Sequence, residues 1–212
     1  MTTRIALSAV LLSLFVPSSV AAQAVNPRLT ALVGTNDAFV IGLRDAAGNP
    51  VTRLDPGTYD IAVSDRSQAH NFRLKGPGVN NATAVENAEE VTWTVTLADG
   101  RYSYVCDPHA SQMRGYFIVG TIPTTTFAAG VGPGRKIAFS PKAADVGPAR
   151  ITVNDRSRTE NFHLSGPGVN RKTGVAFRGR ATWSLNLQPG RYTYRSDKTK
   201  KLRGVLTVRF PG

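Results

Sequence analysis

Three side chains that can bind a soft metal ion lie within eight residues of one another near the middle of the chain. They are Cys106, His109 and Met113, in the run YSYVCDPHASQMRG from Tyr102 to Gly115. Cys106 is the only cysteine of the sequence, so it cannot form a disulfide within the chain. A thiolate, an imidazole and a thioether are three of the four ligands of a blue copper site, which also needs a second imidazole. The pattern therefore predicts a copper site if the fold brings another histidine to this loop.

The chain repeats itself once, with an offset that stays near 90 residues. The segment NFRLKGPGVN at 71–80 recurs as NFHLSGPGVN at 161–170, and GRYSY at 100–104 recurs as GRYTY at 190–194. Both copies contain short runs rich in β-branched and aromatic residues, such as VTWTVTL at 91–97, bounded by turns that contain glycine and proline. The sequence therefore predicts an all-β protein of two tandem Greek-key β-sandwiches.

Composition predicts the boundaries of these units. A positive start and the apolar run Ile5–Val16 are followed by small residues, which indicates a signal peptide over 1–22, cleaved near Ala22 or Ala24. The first copy then covers 25–120, a Pro- and Thr-containing linker covers 121–126, and the second copy covers 127–212. We expect an exported protein, periplasmic or extracellular, without a stable membrane span, because the apolar run is too short for one.

The second histidine is His70, which precedes Asn71 at the start of a predicted strand. With it, residues from about 29 to 120 resemble the cupredoxin family of blue copper proteins, plastocyanin-like in particular. In that family an early His-Asn pair and a Cys-x-Pro-His loop followed shortly by Met supply the ligands. The resemblance implies the copper ligands His70, Cys106, His109 and Met113, and an Asn71 carboxamide that ties the two ligand loops together. Three residues separate His109 from Met113, where plastocyanin-type loops more often have four.

The second copy lacks all four of these side chains. Alignment of the repeats places Glu160 at the position of His70, Ser196 at that of Cys106, Thr199 at that of His109 and Leu202 at that of Met113. The residues around them are kept, so the four candidates behave as one unit that is present in one copy and missing from the other. We therefore expect a degenerate, basic cupredoxin-like second domain without copper.

The resemblance implies single-electron transfer through the exposed edge of His109, and no transformed substrate, so we expect an electron carrier and not an enzyme. Cupredoxin-based oxidases need several more histidines at their catalytic coppers, and here only His163 remains. His163 aligns with Arg73 and is predicted to lie on the surface. Other readings stay open: copper storage, delivery or sensing, a structural or adhesive protein with a vestigial site, and Cys106 as a buried structural thiol or a nucleophile.

Charge is distributed unevenly around a net value of +12. Residues 25–120 contain 8 Lys and Arg against 10 Asp and Glu, whereas residues 121–212 contain 17 against 4. The loop RSDKTKKLR at 195–203 alone has five cations. Long-range attraction would favour an acidic redox partner protein, or an anionic cell-surface polymer, docking on the second domain. A merely solubilising basic surface is the alternative, and we expect no nucleic acid partner because aromatic stacking patterns are missing.

Overall fold

The computed structural model describes residues 25–211, so the predicted signal peptide over 1–22 lies outside the described residues. The described part consists of strands and loops with two short 3-10 turns, and its sheets form two sandwiches in tandem. The predicted all-β fold is therefore confirmed. No helix in residues 25–211 is long and apolar enough to cross a membrane.

The first sandwich consists of a four-stranded and a five-stranded sheet. The strand orders are β2-β1-β4-β7 and β3-β9-β8-β5-β6. The strands are β1 (Arg28–Val33), β2 (Ile41–Arg44), β3 (Arg53–Leu54), β4 (Gly57–Asp65), β5 (Arg73–Gly76), β6 (Val79–Ala82), β7 (Glu89–Leu97), β8 (Gly100–Val105) and β9 (Arg114–Val119).

The second sandwich repeats the first strand by strand. Its orders, β11-β10-β13-β16 and β12-β18-β17-β14-β15, match those of the first pair of sheets. The strands are β10 (Thr125–Gly132), β11 (Lys136–Ser140), β12 (Ala143–Asp145), β13 (Gly147–Asp155), β14 (His163–Gly166), β15 (Val169–Lys172), β16 (Gly179–Leu187), β17 (Gly190–Arg195) and β18 (Arg203–Arg209). The strand β10 begins inside the segment 121–126, where the sequence suggests a linker.

Alternating burial along the strands builds one core in each sandwich. In β4 and β13 every second residue points inward, so that Ile61 and Ile151 are fully buried at matching positions. Such a period of two is what a strand with one buried face produces. Trp93 and Trp183 are only partly covered and pack against the edges of the two cores.

The recurring Arg-Gly pair at the start of β9 and β18 has a packing reason. A Cβ atom on Gly115 would overlap the ring of Tyr104, its cross-strand partner, and a Cβ atom on Gly204 would overlap the ring of Tyr194. Each tyrosine lies across its glycine, and only glycine leaves room for the ring. The strand that leaves the Cys106 loop is therefore pressed against the strand that enters it.

Candidate metal centre

The candidate ligands come from two loops at one end of the first sandwich. His70 lies between β4 and β5, whereas Cys106, His109 and Met113 lie between β8 and β9. Because β5 and β8 are adjacent antiparallel strands, with Arg73 opposite Val105, the end of one loop lies beside the start of the other. The fold thus brings together residues that are 36 positions apart in the sequence.

Three donor atoms converge at this point. The Nδ1 atoms of His70 and His109 are 2.9 Å apart, and the Sγ atom of Cys106 is 3.6 Å from the first and 3.5 Å from the second. The circle through the three atoms has a radius of about 1.9 Å, close to the distances at which imidazole nitrogen and thiolate sulfur bind a metal ion. The donor set, two imidazoles and one thiolate, suits copper. The residues present therefore fit a copper ion.

The candidate ligands differ in how deeply they are buried. His70, Cys106 and Met113 are fully or almost fully buried, and Cys106 and Met113 belong to the core of the first sandwich. His109 is half-buried. The centre therefore lies at the border of the core, and the His109 side is the one that reaches solvent.

A backbone carbonyl orients the ring of His70. Its Nε2 atom lies 3.3 Å from the carbonyl oxygen of Asp37, in the loop between β1 and β2. A carbonyl can only accept, so Nε2 bears the proton and the lone pair of Nδ1 is free to face the centre. The hydroxyl of Ser67 donates to the Asp37 carboxylate at 2.7 Å and accepts from the Ala69 backbone N–H at 3.0 Å, which fixes the turn before His70.

Gly34 lets the β1–β2 loop approach this turn. It has a φ of +66°, in the left-handed region that favours glycine. A Cβ atom at this position would overlap the Cβ atom of Ser67 and would lie 3.1 Å from the ring of His70. The β1–β2 loop therefore contacts the His70 imidazole on the side that faces away from the Cys106 loop.

The loop from Cys106 to Met113 is closed by its own backbone. The Cys106 N–H donates to the Met113 carbonyl at 3.0 Å, the His109 N–H donates to the Cys106 carbonyl at 3.1 Å, and the Met113 N–H donates to the His109 carbonyl at 2.9 Å. All three candidate ligands of this loop are thus linked by main-chain hydrogen bonds. This network holds Met113 beside Cys106.

Asn71 bridges the two loops. Its side-chain oxygen accepts the Asp107 N–H at 2.7 Å, and its side-chain nitrogen donates to the Asp107 carboxylate at 2.8 Å and to the Thr83 carbonyl at 3.3 Å. Arg73 completes the set with an ion pair to Asp107 at 2.8 Å. Because Asn71 follows His70 and Asp107 follows Cys106, the spacing of two candidate ligands is fixed by their immediate neighbours.

Phe39 is a part of the site that sequence reasoning missed. Its ring packs edge-on against both imidazoles, with centroids 5.3 Å from His70 and 4.6 Å from His109, and its side chain is 55% exposed. It follows the irregular 3-10 turn Thr35–Asp37, where no periodic pattern marks it. Phe39 contacts the two imidazoles only because the fold brings it next to the turn that carries His70.

In the second sandwich a carboxylate lies where the metal donors meet in the first. The buried Glu160 accepts hydrogen bonds from the hydroxyls of Ser196 at 2.5 Å and Thr199 at 2.7 Å. The shorter loop is closed in the same way, because the Ser196 N–H donates to the Leu202 carbonyl at 2.9 Å. These hydrogen bonds lower the pKa of Glu160, with the Ser196 hydroxyl as the main cause and the positive charge of Arg135 as a further one. The residues that replace the candidate ligands thus cross-link the same two loops.

The prediction that His163 lies on the surface is wrong. The residue is only 7% exposed, its Nδ1 atom lies 2.7 Å from the Asp197 carboxylate, and its Nε2 atom lies 2.6 Å from the Asn170 side-chain oxygen. The strand β14 runs between β15 and β17, so Lys172 and Arg195 flank the imidazole on both sides. Long neighbours on both adjacent strands cover a position that faces outward. His163 takes no part in the metal centre.

Residues 48–120 match the model of a family described as copper binding proteins, plastocyanin/azurin family. The matched range contains all four candidate ligands and Asn71. The match covers 73 of the 212 residues, so the likeness to this family is one of the first domain and not of the whole chain. Together with the cluster of His70, Cys106 and His109, the match confirms that the first domain is a copper-binding, cupredoxin-type domain.

Comparison of the copper-binding protein with solved structures gives loose overlaps. A multicopper oxidase is 15% identical, with 85% of this chain and 87% of that chain covered and a TM-score of 0.29. A copper-containing nitrite reductase from Thermus scotoductus SA-01 is 12% identical, with 87% of this chain and 61% of that chain covered and a TM-score of 0.30. A blue copper oxidase from Nitrosomonas europaea is 14% identical, with 86% and 85% covered and a TM-score of 0.30. Overlaps this loose say nothing about activity. No curated protein sequence matches the chain.

The pH dependence of the free energy of unfolding tests whether the Glu160 carboxylate cross-links the second sandwich. Since its pKa is lowered in the folded state, its contribution to stability is complete above the ordinary Glu pKa of about 4.3 and is lost as the pH falls through the folded value. Glu160→Gln should therefore lower the free energy of urea unfolding at pH 7, and the deficit should shrink as the pH is lowered toward 3. Glu86→Gln, at an exposed position of the first domain, is the matched control. A deficit that stays constant over this range would contradict the assignment.

Proposed function

We propose that the protein is an exported type 1 copper protein that transfers single electrons through one centre in its first domain. The observation that supports this most is the convergence of the Cys106 sulfur and two imidazole Nδ1 atoms within 3.6 Å of one another. Copper, when bound, supplies the one-electron change between Cu(I) and Cu(II).

Each residue of the centre has a distinct role in this proposal. The Cys106 sulfur and the Nδ1 atoms of His70 and His109 would hold the ion, and the Met113 thioether would be a further, weaker ligand. Asn71 would act as a positioning residue, because it joins the His70 loop to the Cys106 loop through Asp107. A scaffold whose ligands cannot rearrange suits both oxidation states, so that an electron can arrive and leave without large movement.

His109 offers the shortest way out for an electron. It is half-buried, whereas His70 and Cys106 are covered. Phe39, in edge contact with His109 and more than half exposed, extends an apolar surface beside it. A redox partner protein that docks here would approach the centre through one imidazole.

A carrier accounts for the protein better than an enzyme does. Within residues 25–211, His70, Cys106 and His109 form the one group of three His, Cys, Asp or Glu side chains placed to hold a metal ion. The third histidine, His163, is engaged by Asp197 and Asn170 in the other sandwich. A second, catalytic copper would thus need donors from another molecule. Copper storage, delivery or sensing is the competing function, and it would use the same ligands without fast electron exchange.

Visible absorption tests the thiolate–copper bond. Residues 25–212 with one equivalent of Cu(II) should develop an intense charge-transfer band, because Cys106 is placed to bind as a thiolate. The double variant Cys106→Ser, Ser196→Cys should show no band, since it keeps one cysteine but places it at the matching loop of the second sandwich. A wild-type protein that stays colourless at stoichiometric copper would contradict the proposal. A charge-transfer band that remains in the double variant would contradict it as well.

Voltammetry separates electron transfer from storage. The wild-type protein should give a reversible one-electron wave at positive potential. Asn71→Ala should lower copper affinity or the electrode rate by roughly 10- to 100-fold, as for other residues that orient metal ligands. Asn161→Ala removes the same bridge from the second sandwich and should leave the wave unchanged. An irreversible wave in the wild-type protein would favour storage, delivery or sensing.

A further inference from the structure

One end of the second sandwich has cations on every loop. Its turns and loops are 132–136, 156–162, 173–180 and 196–202, which we call the basic tip. Strand register places them together, because Val131 lies opposite Asp155, Asp155 opposite Gly179, and His163 opposite Arg195. Each of the four segments has at least two exposed Lys or Arg side chains, and three of them, Lys198, Lys200 and Lys201, lie on the loop that corresponds to the Cys106 loop.

The carboxylates of the basic tip are already occupied. Asp155 is buried and accepts from the Thr173 hydroxyl at 2.8 Å, and Glu160 is buried between Ser196 and Thr199. Asp197 is held by Asn161, His163 and Arg195. These three acids are engaged in hydrogen bonds or ion pairs within the tip, so most of the exposed cations face solvent without a compensating negative charge.

The basic tip also has exposed apolar side chains. Val175 is 41% and Phe177 is 37% exposed, on the loop between β15 and β16. Val85 of the first sandwich matches Val175, but two other matching positions differ in character. Arg180 lies opposite Asn154 in the strand register, as Glu90 lies opposite Ser64 in the first sandwich, so Arg180 takes the place of an acid. Phe177 takes the place of Asn87.

The basic tip points away from the contact between the two sandwiches. Phe210 follows β18 at the opposite end of the second sandwich, and its ring lies 4.7 Å from the Arg114 guanidinium and 5.6 Å from the Tyr116 ring of the first domain. The strand β18 runs from Arg203 at the basic tip to Arg209 next to this contact. The tip is thus free to meet a flat surface while the other end contacts the copper-binding domain.

We propose that the basic tip binds the anionic headgroup surface of a lipid bilayer. The cations of the four loops attract the negatively charged headgroups. The side chains of Val175 and Phe177 can enter the boundary between headgroups and acyl chains. The strength of such peripheral binding increases with the apolar area inserted and with the attraction to anionic lipids. A soluble acidic polymer such as polyglutamate would use the charge alone and would leave the apolar pair without a role. The proposal is independent of copper binding, and it would hold the first domain near a membrane.

Co-sedimentation with vesicles tests the proposal. Residues 25–212, which contain every strand of both sandwiches, should pellet with vesicles of phosphatidylglycerol and phosphatidylcholine and stay in solution with phosphatidylcholine alone. The triple variant Lys198→Glu, Lys200→Glu, Lys201→Glu should bind anionic vesicles at least tenfold more weakly. The matched triple variant Lys142→Glu, Arg150→Glu, Arg191→Glu changes the net charge equally but outside the tip, and it should bind nearly as the wild-type protein does.

The apolar pair separates a bilayer from an acidic macromolecule. Val175→Ser with Phe177→Ser should weaken vesicle binding several-fold and leave retention on soluble polyglutamate unchanged. Circular dichroism and thermal unfolding of each variant show whether the sandwich is intact. The proposal is overturned if the wild-type protein fails to bind anionic vesicles, or if both triple variants lose binding equally. It is also overturned if polyglutamate is bound while the serine variant binds vesicles as the wild-type protein does, which would assign the surface to an acidic protein.

Discussion

The Asn71 carboxamide joins the two loops on which the candidate metal centre depends. It accepts from the Asp107 N–H and donates to the Asp107 carboxylate, so that the residue after His70 is tied to the residue after Cys106. Asn161 makes the same pair of contacts with Asp197 in the second sandwich, at 2.8 and 3.1 Å. Because this bridge is present where no metal ligand exists, the geometry of the loops comes from the polypeptide itself. The metal-binding side chains are placed on a scaffold that is already set.

The two copies show how one scaffold supports two kinds of cross-link. In the first copy, three donors converge and a bound ion would join the loops; in the second, Glu160 joins them through the hydroxyls of Ser196 and Thr199. A buried carboxylate without partners would be costly, and the two hydroxyls remove that cost. Replacement of the whole set at once is therefore the physically consistent route. A single change, such as His70 to Glu beside Cys106, would leave a buried carboxylate without the two hydroxyls that Ser196 and Thr199 offer to Glu160.

The sequence was sufficient to predict those features that depend on local pattern. Alternation in VTWTVTL predicted a strand at 91–97, which the structure extends to 89–97, and the repeat predicted matching sheets. The copper prediction followed from the chemistry of Cys106, His109 and Met113 and from a family resemblance for His70. Phe39 could not be found in this way, because its contact with both imidazoles depends on the path of an irregular loop. The burial of His163 depends on long side chains of two neighbouring strands, which its own strand does not reveal.

X-ray absorption at the copper edge tests the central claim most directly, because it reports the atoms bound to the ion. The account predicts two nitrogen neighbours at about 2.0 Å and one sulfur neighbour at about 2.2–2.3 Å, as expected for imidazole and thiolate ligands. The short sulfur contribution should vanish in Cys106→Ser and persist in Ser196→Ala, a change at the matching position of the second sandwich. A spectrum of the wild-type protein with nitrogen and oxygen neighbours alone would contradict the account.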